Sequence, residues 1–227
     1  MAFYEELVAA TAADRDWLLA APVIDRALAG QITRETYLAF LTQAYHHVRH
    51  TVPLLMAVGS RLEDRHAWLQ PQVLHYLEEE AGHEQWILND IDAAGGISAS
   101  AASSEPSIAT EAMVAYAYDT VTRRNPVGFF GMVLVLEGTS VALALQAADR
   151  IQSALALPNR AFTYLRSHGS LDQEHVGHLA GIVNRLEDAA DRMAVLRCAR
   201  GVYRLYGEMF RGLDAREDDR SGLRRIA

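Results

Sequence analysis

TYLAFLTQAYHHVRHTVPLLMAVGSRL, residues 36–62, sets its large apolar side chains at helical intervals, with Tyr37, Leu41, Tyr45, Val48 and Val52 forming one stripe. A strand would alternate with period two, and no Val/Ile-rich alternating run closed by Asn-Gly or Asp-Gly occurs in the chain. The cap-type residue Thr33 stands before the stretch, and Pro53 predicts a kink inside it. Working outward, the same periodicity predicts helices at about 3–20, 22–29, 71–94, 107–123, 126–156, 159–188 and 189–213. Gly95-Gly96 stops the 71–94 helix, and Pro126 and Pro158 stand near helix starts. The segment GGISASAASSEPS, 95–107, reads as a loop too short to separate a pair of domains. The expectation is an all-α bundle of about seven to eight helices, a single domain over residues 1–227.

Composition then removes whole classes of function. Hydrophobic residues at 50% and charged residues at 22% are globular values. A formal net charge of −8 opposes nucleic acid and anionic membrane as partners, since both need clustered positive charge. The single cysteine, Cys198, excludes an intrachain disulfide framework and a thiolate zinc cluster, and points to a reducing, cytoplasmic setting. All 21 basic residues are arginine, which rules out a Schiff-base lysine and a phosphate-loop lysine. Glu5 and Glu6 stand where a signal peptide would be basic, and no uninterrupted apolar run looks long enough to cross a bilayer. The expected partners are a small-molecule substrate and a second copy of the chain. Val202, Leu205 and Met209 set an apolar stripe on the last helix that suits a homodimer.

Three segments carry chemistry. HGSLDQEH, residues 168–175, holds His168, Asp172 and His175 at steps of four and three, so all three share one helix face. HYLEEEAGHEQW supplies Glu80 and His83, an E-x-x-H pair of the kind that converges on one metal in di-iron bundles, with Glu79 as a local rival because His75, Glu79 and His83 form their own stripe. Glu137 stands inside GFFGMVLVLEGTSVALAL, a carboxylate in an almost wholly apolar segment, where burial demands a partner. Three carboxylates and three imidazoles from three helices nearly balance two divalent ions. Nitrogen and oxygen donors without thiolate suit iron or manganese, and six protein ligands on two metals leave positions open for oxygen.

EEAGHEQW, LVLEG and the H-x3-D-x2-H of HGSLDQEH, in that order, resemble the motifs of haem-oxygenase-like di-iron oxidases and oxygenases, relatives of the TenA-like thiaminase II and PqqC proteins. The resemblance covers about residues 30–190. It implies a haem-oxygenase-like bundle with two Fe(II) ions per chain, manganese being the alternative, held by Glu80, His83, Glu137, His168, Asp172 and His175, with O2 as co-substrate. It also implies a non-haem di-iron oxidoreductase that cleaves, decarboxylates or hydroxylates a small amine, amino acid or fatty acid, with Glu137 helping to bridge or position the irons. Thiaminase II carries a nucleophilic cysteine in the helix region where this chain has Glu137, so thiamine-type hydrolysis is disfavoured. The alternative is a TenA-like protein that binds a small molecule, or regulates, without metal.

Around this set, Tyr45, Arg49 and His50 of AYHHVRHTVPLL are candidates for substrate binding, the arginine fork being suited to a carboxylate. Phe130 and Leu134, with Val133, precede Glu137 on nearly the same face and are candidate tunnel walls. His66 and His178 read as surface residues, and Cys198 as a small core residue.

Overall fold

The computed structural model describes residues 2–224; the side chains of residues 169–175 and 214–224 lie outside the described set. Among the described residues there is no strand, and the chain forms twelve α-helices: α1 (Phe3–Ala10), α2 (Ala12–Leu19), α3 (Pro22–Leu28), α4 (Arg34–Val48), α5 (Thr51–Arg61), α6 (Gln70–Glu80), α7 (His83–Ala93), α8 (Ser98–Ser103), α9 (Ile108–Arg123), α10 (Phe129–Leu155), α11 (Thr163–Asn184) and α12 (Ala189–Arg224). Short stretches of 3-10 helix stand at Asp64–Leu69, Pro126–Gly128 and Asn159–Ala161.

The expected all-α bundle is present, with more pieces than expected because three predicted helices are broken. The 3–20 helix divides at buried Thr11, whose Oγ1 donates to the Leu7 carbonyl at 2.8 Å and competes with the backbone ladder. The helix after Thr33 does not kink at Pro53; it ends at Val48 and restarts at Thr51, since Pro53 has no N–H for the Arg49 carbonyl. The 71–94 helix breaks at Ala81-Gly82, where Gly82 takes φ +89°, a left-handed conformation that L side chains resist. Much of the expected 95–107 loop is itself the short helix α8.

Helix α10 is the axis of the molecule, packed between α11 and α12 with α3 lying along its later half. The crossing with α12 is close. A Cβ on Gly131 would overlap the Val195 carbonyl oxygen and stand 2.6 Å from the Ala199 amide nitrogen, both backbone atoms. Contrary to the sequence expectation, the span Pro126–Leu155 is long and apolar enough to cross a membrane by length and composition, but 67% of its most apolar window is buried inside the bundle. Val202 and Met209 are core residues and Leu205 packs against them, so the stripe expected to pair two copies is used within the chain.

His66 is not a surface residue. It is 4% exposed, and its Nε2 lies 2.8 Å from Asp191 Oδ2. Arg65 and Asn125 donate to the same carboxylate at 2.8 and 2.7 Å. His178 is half-buried, its ring 4.8 Å from that of His75 and 5.4 Å from that of Tyr76. Cys198 is buried as expected.

Candidate metal centre

The break at Gly82 builds one side of the site. It ends α6 on Glu80 and starts α7 on His83, so the two side chains meet across a helix boundary, His83 Nδ1 lying 3.1 Å from Glu80 Oε2. The E-x-x-H pair is therefore not on successive turns of one helix, as the spacing alone suggests. Glu79 turns the other way and pairs with His75 at 3.3 Å. The His83 and Glu80 side chains are 3% and 12% exposed.

The other side comes from α11. Its first turn is capped by another helix: the Asp90 carboxylate on α7 accepts the Thr163 and Tyr164 amide N–H groups at 3.0 and 2.8 Å. Burial pushes the Asp90 carboxyl up and these hydrogen bonds oppose that rise. Since His83 and Asp90 lie two turns apart on α7, this cap sets α11 against the helix that carries His83, and His168 follows one turn after Tyr164. The Tyr37 hydroxyl, from α4, donates to the Ala161 carbonyl at 2.6 Å and fixes the same junction. No sequence pattern singled out Asp90; its signal, an acid on the apolar face of a helix, became readable only once its partner helix was in place.

Aromatic rings hold the imidazoles. His83 lies 4.1 Å from Trp86 and 4.7 Å from His168, and His168 lies 4.5 Å from Tyr164, centroid to centroid. His168 Nδ1 is 3.1 Å from the Tyr164 carbonyl oxygen. A carbonyl only accepts, so this nitrogen carries the proton and Nε2 carries the lone pair a metal needs.

Glu80, His83 and His168 together place one ligand atom each within 4.8 Å of one another. That is close to the span one ion bridges with bonds of about 2.0–2.2 Å. Glu137 is buried on α10 and lines the same cavity as Glu80 and His168. The Asp172 and His175 side chains lie outside the described residues; their backbone belongs to α11, which also carries His168. The donor set is carboxylate and imidazole, which fits iron.

The cavity encloses about 150 Å³ between α3, α4, α10, α11 and α12. Its α10 wall is Phe129, Met132, Val133, Leu136, Glu137, Ser140, Leu143, Ala144, Ala147 and Ile151, with Thr139 at its edge. Phe130 and Leu134 are not on that wall; Phe130 is fully buried 6.4 Å from Tyr76, ring to ring. On α4 the cavity meets Tyr37, Phe40, His47 and Val48, and Thr51 follows on α5. Tyr45, Arg49 and His50 do not reach it. Arg49 lies over the Tyr45 ring, and His50 Nδ1 is 3.2 Å from the Tyr118 hydroxyl, Arg49 and His50 lining a separate surface groove against α8 and α9. The helix turns about 100° per residue, so one step separates His46, at 3.0 Å from Ser104 in that groove, from His47 in the cavity.

His47 is the cavity residue with the clearest electrostatic signature. Burial holds its imidazolium pKa down at about 4, against the opposing pull of the Gln43 carbonyl at 3.1 Å, with nearby imidazoles adding to the lowering. An unfolded histidine takes its proton near pH 6.5. As pH falls from about 6.5 towards 4, the unfolded state binds a proton that the folded state refuses, so stability is lost in that window, by about 2–3 kcal/mol at pH 4.5. In urea unfolding at pH 7 and pH 4.5, His47→Gln is expected to remove most of this drop; an unchanged pH dependence would show that His47 does not carry it.

These contacts can be set beside known proteins. A family model described as "Iron-containing redox enzyme" matches residues 38–207. The chain belongs to this iron-containing redox enzyme family. No curated protein sequence matches it significantly. Among solved structures, a domain of unknown function with a heme oxygenase-like fold from Shewanella denitrificans is 24% identical over 94% of this chain and 93% of its own, with a TM-score of 0.86. Heme oxygenase-1 from the cyanobacterium Synechocystis, solved with heme, is 13% identical over 100% and 98% with a TM-score of 0.76, and a TenA homologue from P. horikoshii is 12% identical over 93% and 100% with a TM-score of 0.73. The fold is haem-oxygenase-like.

Proposed function

We propose that this family member is a non-haem di-iron oxidase or oxygenase that uses O2 to oxidise a small organic molecule held beside α10. The observation that carries the reading is the convergence of Glu80, His83 and His168, from α6, α7 and α11, on one point at the wall of a largely apolar cavity. Glu137 offers a second carboxylate to the same cavity, and Asp172 and His175 complete six ligand-type residues by sequence. The donor set supports non-haem iron, since carboxylate stands with imidazole around one point.

Ferrous iron would supply the electrons and open coordination positions that let O2 react with an organic substrate. The chain's own contribution is positional and protective. Asp90 and Tyr37 fix the start of α11, the Tyr164 carbonyl sets the His168 tautomer, and Trp86 packs on His83. Met132, Val133, Leu136 and Leu143 surround the substrate space with hydrocarbon and exclude water. A cytoplasmic setting, where ferrous iron persists, goes with this reading.

Metal analysis after anaerobic Fe(II) loading tests it. About two irons per chain are expected, the stoichiometry of carboxylate-bridged bundles, with O2 consumption on exposure to air. No specific iron uptake by the folded chain would overturn the proposal.

A further inference from the structure

The cavity continues well past the ligand cluster. From Glu137 to Ile151 it follows one face of α10 for fourteen residues, about 21 Å at 1.5 Å per residue, and is lined also by α3 and by Phe210 and Leu213 of α12. Beyond Ser140 the α10 wall of this arm is hydrocarbon, Leu143, Ala144, Ala147 and Ile151, while Thr139 and Ser140 stand within one turn of Glu137.

Both hydroxyl oxygens are buried, and neither has a hydrogen-bond partner among the described residues. Thr139 as a whole is 7% exposed. Helical serine and threonine in apolar surroundings commonly bond the carbonyl three or four residues back, and these two do not. A buried hydroxyl left unbonded opposes folding, so two of them side by side on a cavity wall call for an occupant with a matching oxygen.

Charge defines that occupant further. The chain has no lysine, and no arginine lines the cavity among the described residues. Among the described residues its ionisable lining apart from tyrosine is Glu80, Glu137, His47 and His168. A carboxylate placed in the arm would meet no cation from the described residues, and an ammonium would have to compete with metal for Glu137. A long hydrocarbon chain meets no such penalty.

We propose that the arm binds an aliphatic molecule bearing an uncharged oxygen function, a hydroxyl or a carbonyl, with that oxygen hydrogen-bonded to Thr139 and Ser140 and the chain laid along α10 towards Ile151. The inference rests on the di-iron reading, for which it names the substrate class, and is narrower than the amine, amino acid or fatty acid that the motifs imply.

The test is calorimetric titration of the full chain, before and after anaerobic iron loading, with decanol, decanoate and decylamine. Decanol is expected to bind at least tenfold more tightly than either charged analogue in both forms. In the Thr139→Val/Ser140→Ala double variant, decanol affinity should fall about tenfold, the worth of a net hydrogen bond, while the Tm of the free protein rises by about 2–4 °C because unbonded hydroxyls have been removed. Decanoate or decylamine binding as tightly as decanol in either form, or unchanged decanol affinity in the double variant, would overturn the proposal. Iron uptake is read separately: decanol selectivity without iron removes only the di-iron reading, and iron uptake without decanol selectivity removes only this one.

Discussion

Glu137→Ala and His83→Ala are each expected to lower iron content from about two ions per chain to one or fewer, and O2 consumption by at least about a hundredfold, while the bundle stays folded. The two variants reach that result by different routes. His83 is buried against Trp86 and His168, and its loss removes one of the three converging ligand atoms from the N-terminal residue of α7. Glu137 lies on α10 within an apolar segment, where burying an ionised carboxylate is costly. Its removal takes a carboxylate from the cavity wall and should leave the metal-free bundle folded. Loss of iron with a retained fold is the signature of a ligand. Loss of iron with collapse of the fold would instead mark Glu137 as a packing residue, and full iron content in both variants would show the ligand assignment to be mistaken.

The features of this site that were legible in the sequence are those fixed by local geometry. Glu80 and His83, three residues apart, were readable as a pair, although the structure joins them across a helix break rather than on successive turns, and the apolar run around Glu137 was readable as a helix. Helix breaks were partly hidden, since Ala81-Gly82 lies inside an otherwise helical pattern and one glycine there is compatible with continuity until tertiary packing demands the left-handed turn. The expected tunnel wall and the observed cavity wall differ by a fraction of a turn: Phe130 and Leu134 share the broad apolar surface of α10 with Phe129, Met132 and Val133, and periodicity tells which residues are apolar, not which neighbour each one meets. Arg49 and His50 were drawn to the site by their chemistry, yet the same α-helical rotation that brings His47 into the cavity carries them to a separate groove. Asp90 and His66 were invisible for a common reason. Each is a polar residue whose burial is tolerated because of a partner far along the chain, Thr163 and Tyr164 for the one and Asp191 for the other.

The His66 contact leads to the largest expected effect on stability, that of Asp191→Ala. Burial alone would push the Asp191 carboxyl up, but hydrogen bonds from His66, Asn125 and Arg65 hold it below the ordinary carboxylate range. The stabilisation is therefore present above the unfolded carboxyl value near pH 3.9 and is lost as pH falls through the lower folded value. Three segments meet at this one side chain: the 3-10 turn of His66, the connection from α9 to α10 at Asn125, and the first turn of α12. Asn125 Oδ1 in turn accepts the Val127 N–H at 3.0 Å, so the cluster fixes where α10 begins and hence where Glu137 falls along the cavity. Alanine at 191 leaves the buried His66 Nε2 and Asn125 Nδ2 without their acceptor and is expected to cost about 3–5 kcal/mol, the range for breaking a buried pair. At about 2–4 °C per kcal/mol for a chain of this size, the Tm should fall by on the order of 10 °C. His66→Ala should cost less, since Asp191 keeps Arg65 and Asn125 as donors. Because none of the four residues lines the cavity, iron taken up at temperatures where the variants remain folded should match that of the unaltered chain. A loss of less than about 1 kcal/mol in Asp191→Ala, the worth of an exposed ion pair, would mean that the cluster does not hold these three segments together and that the packing of Gly131 against α12 alone sets the position of α10.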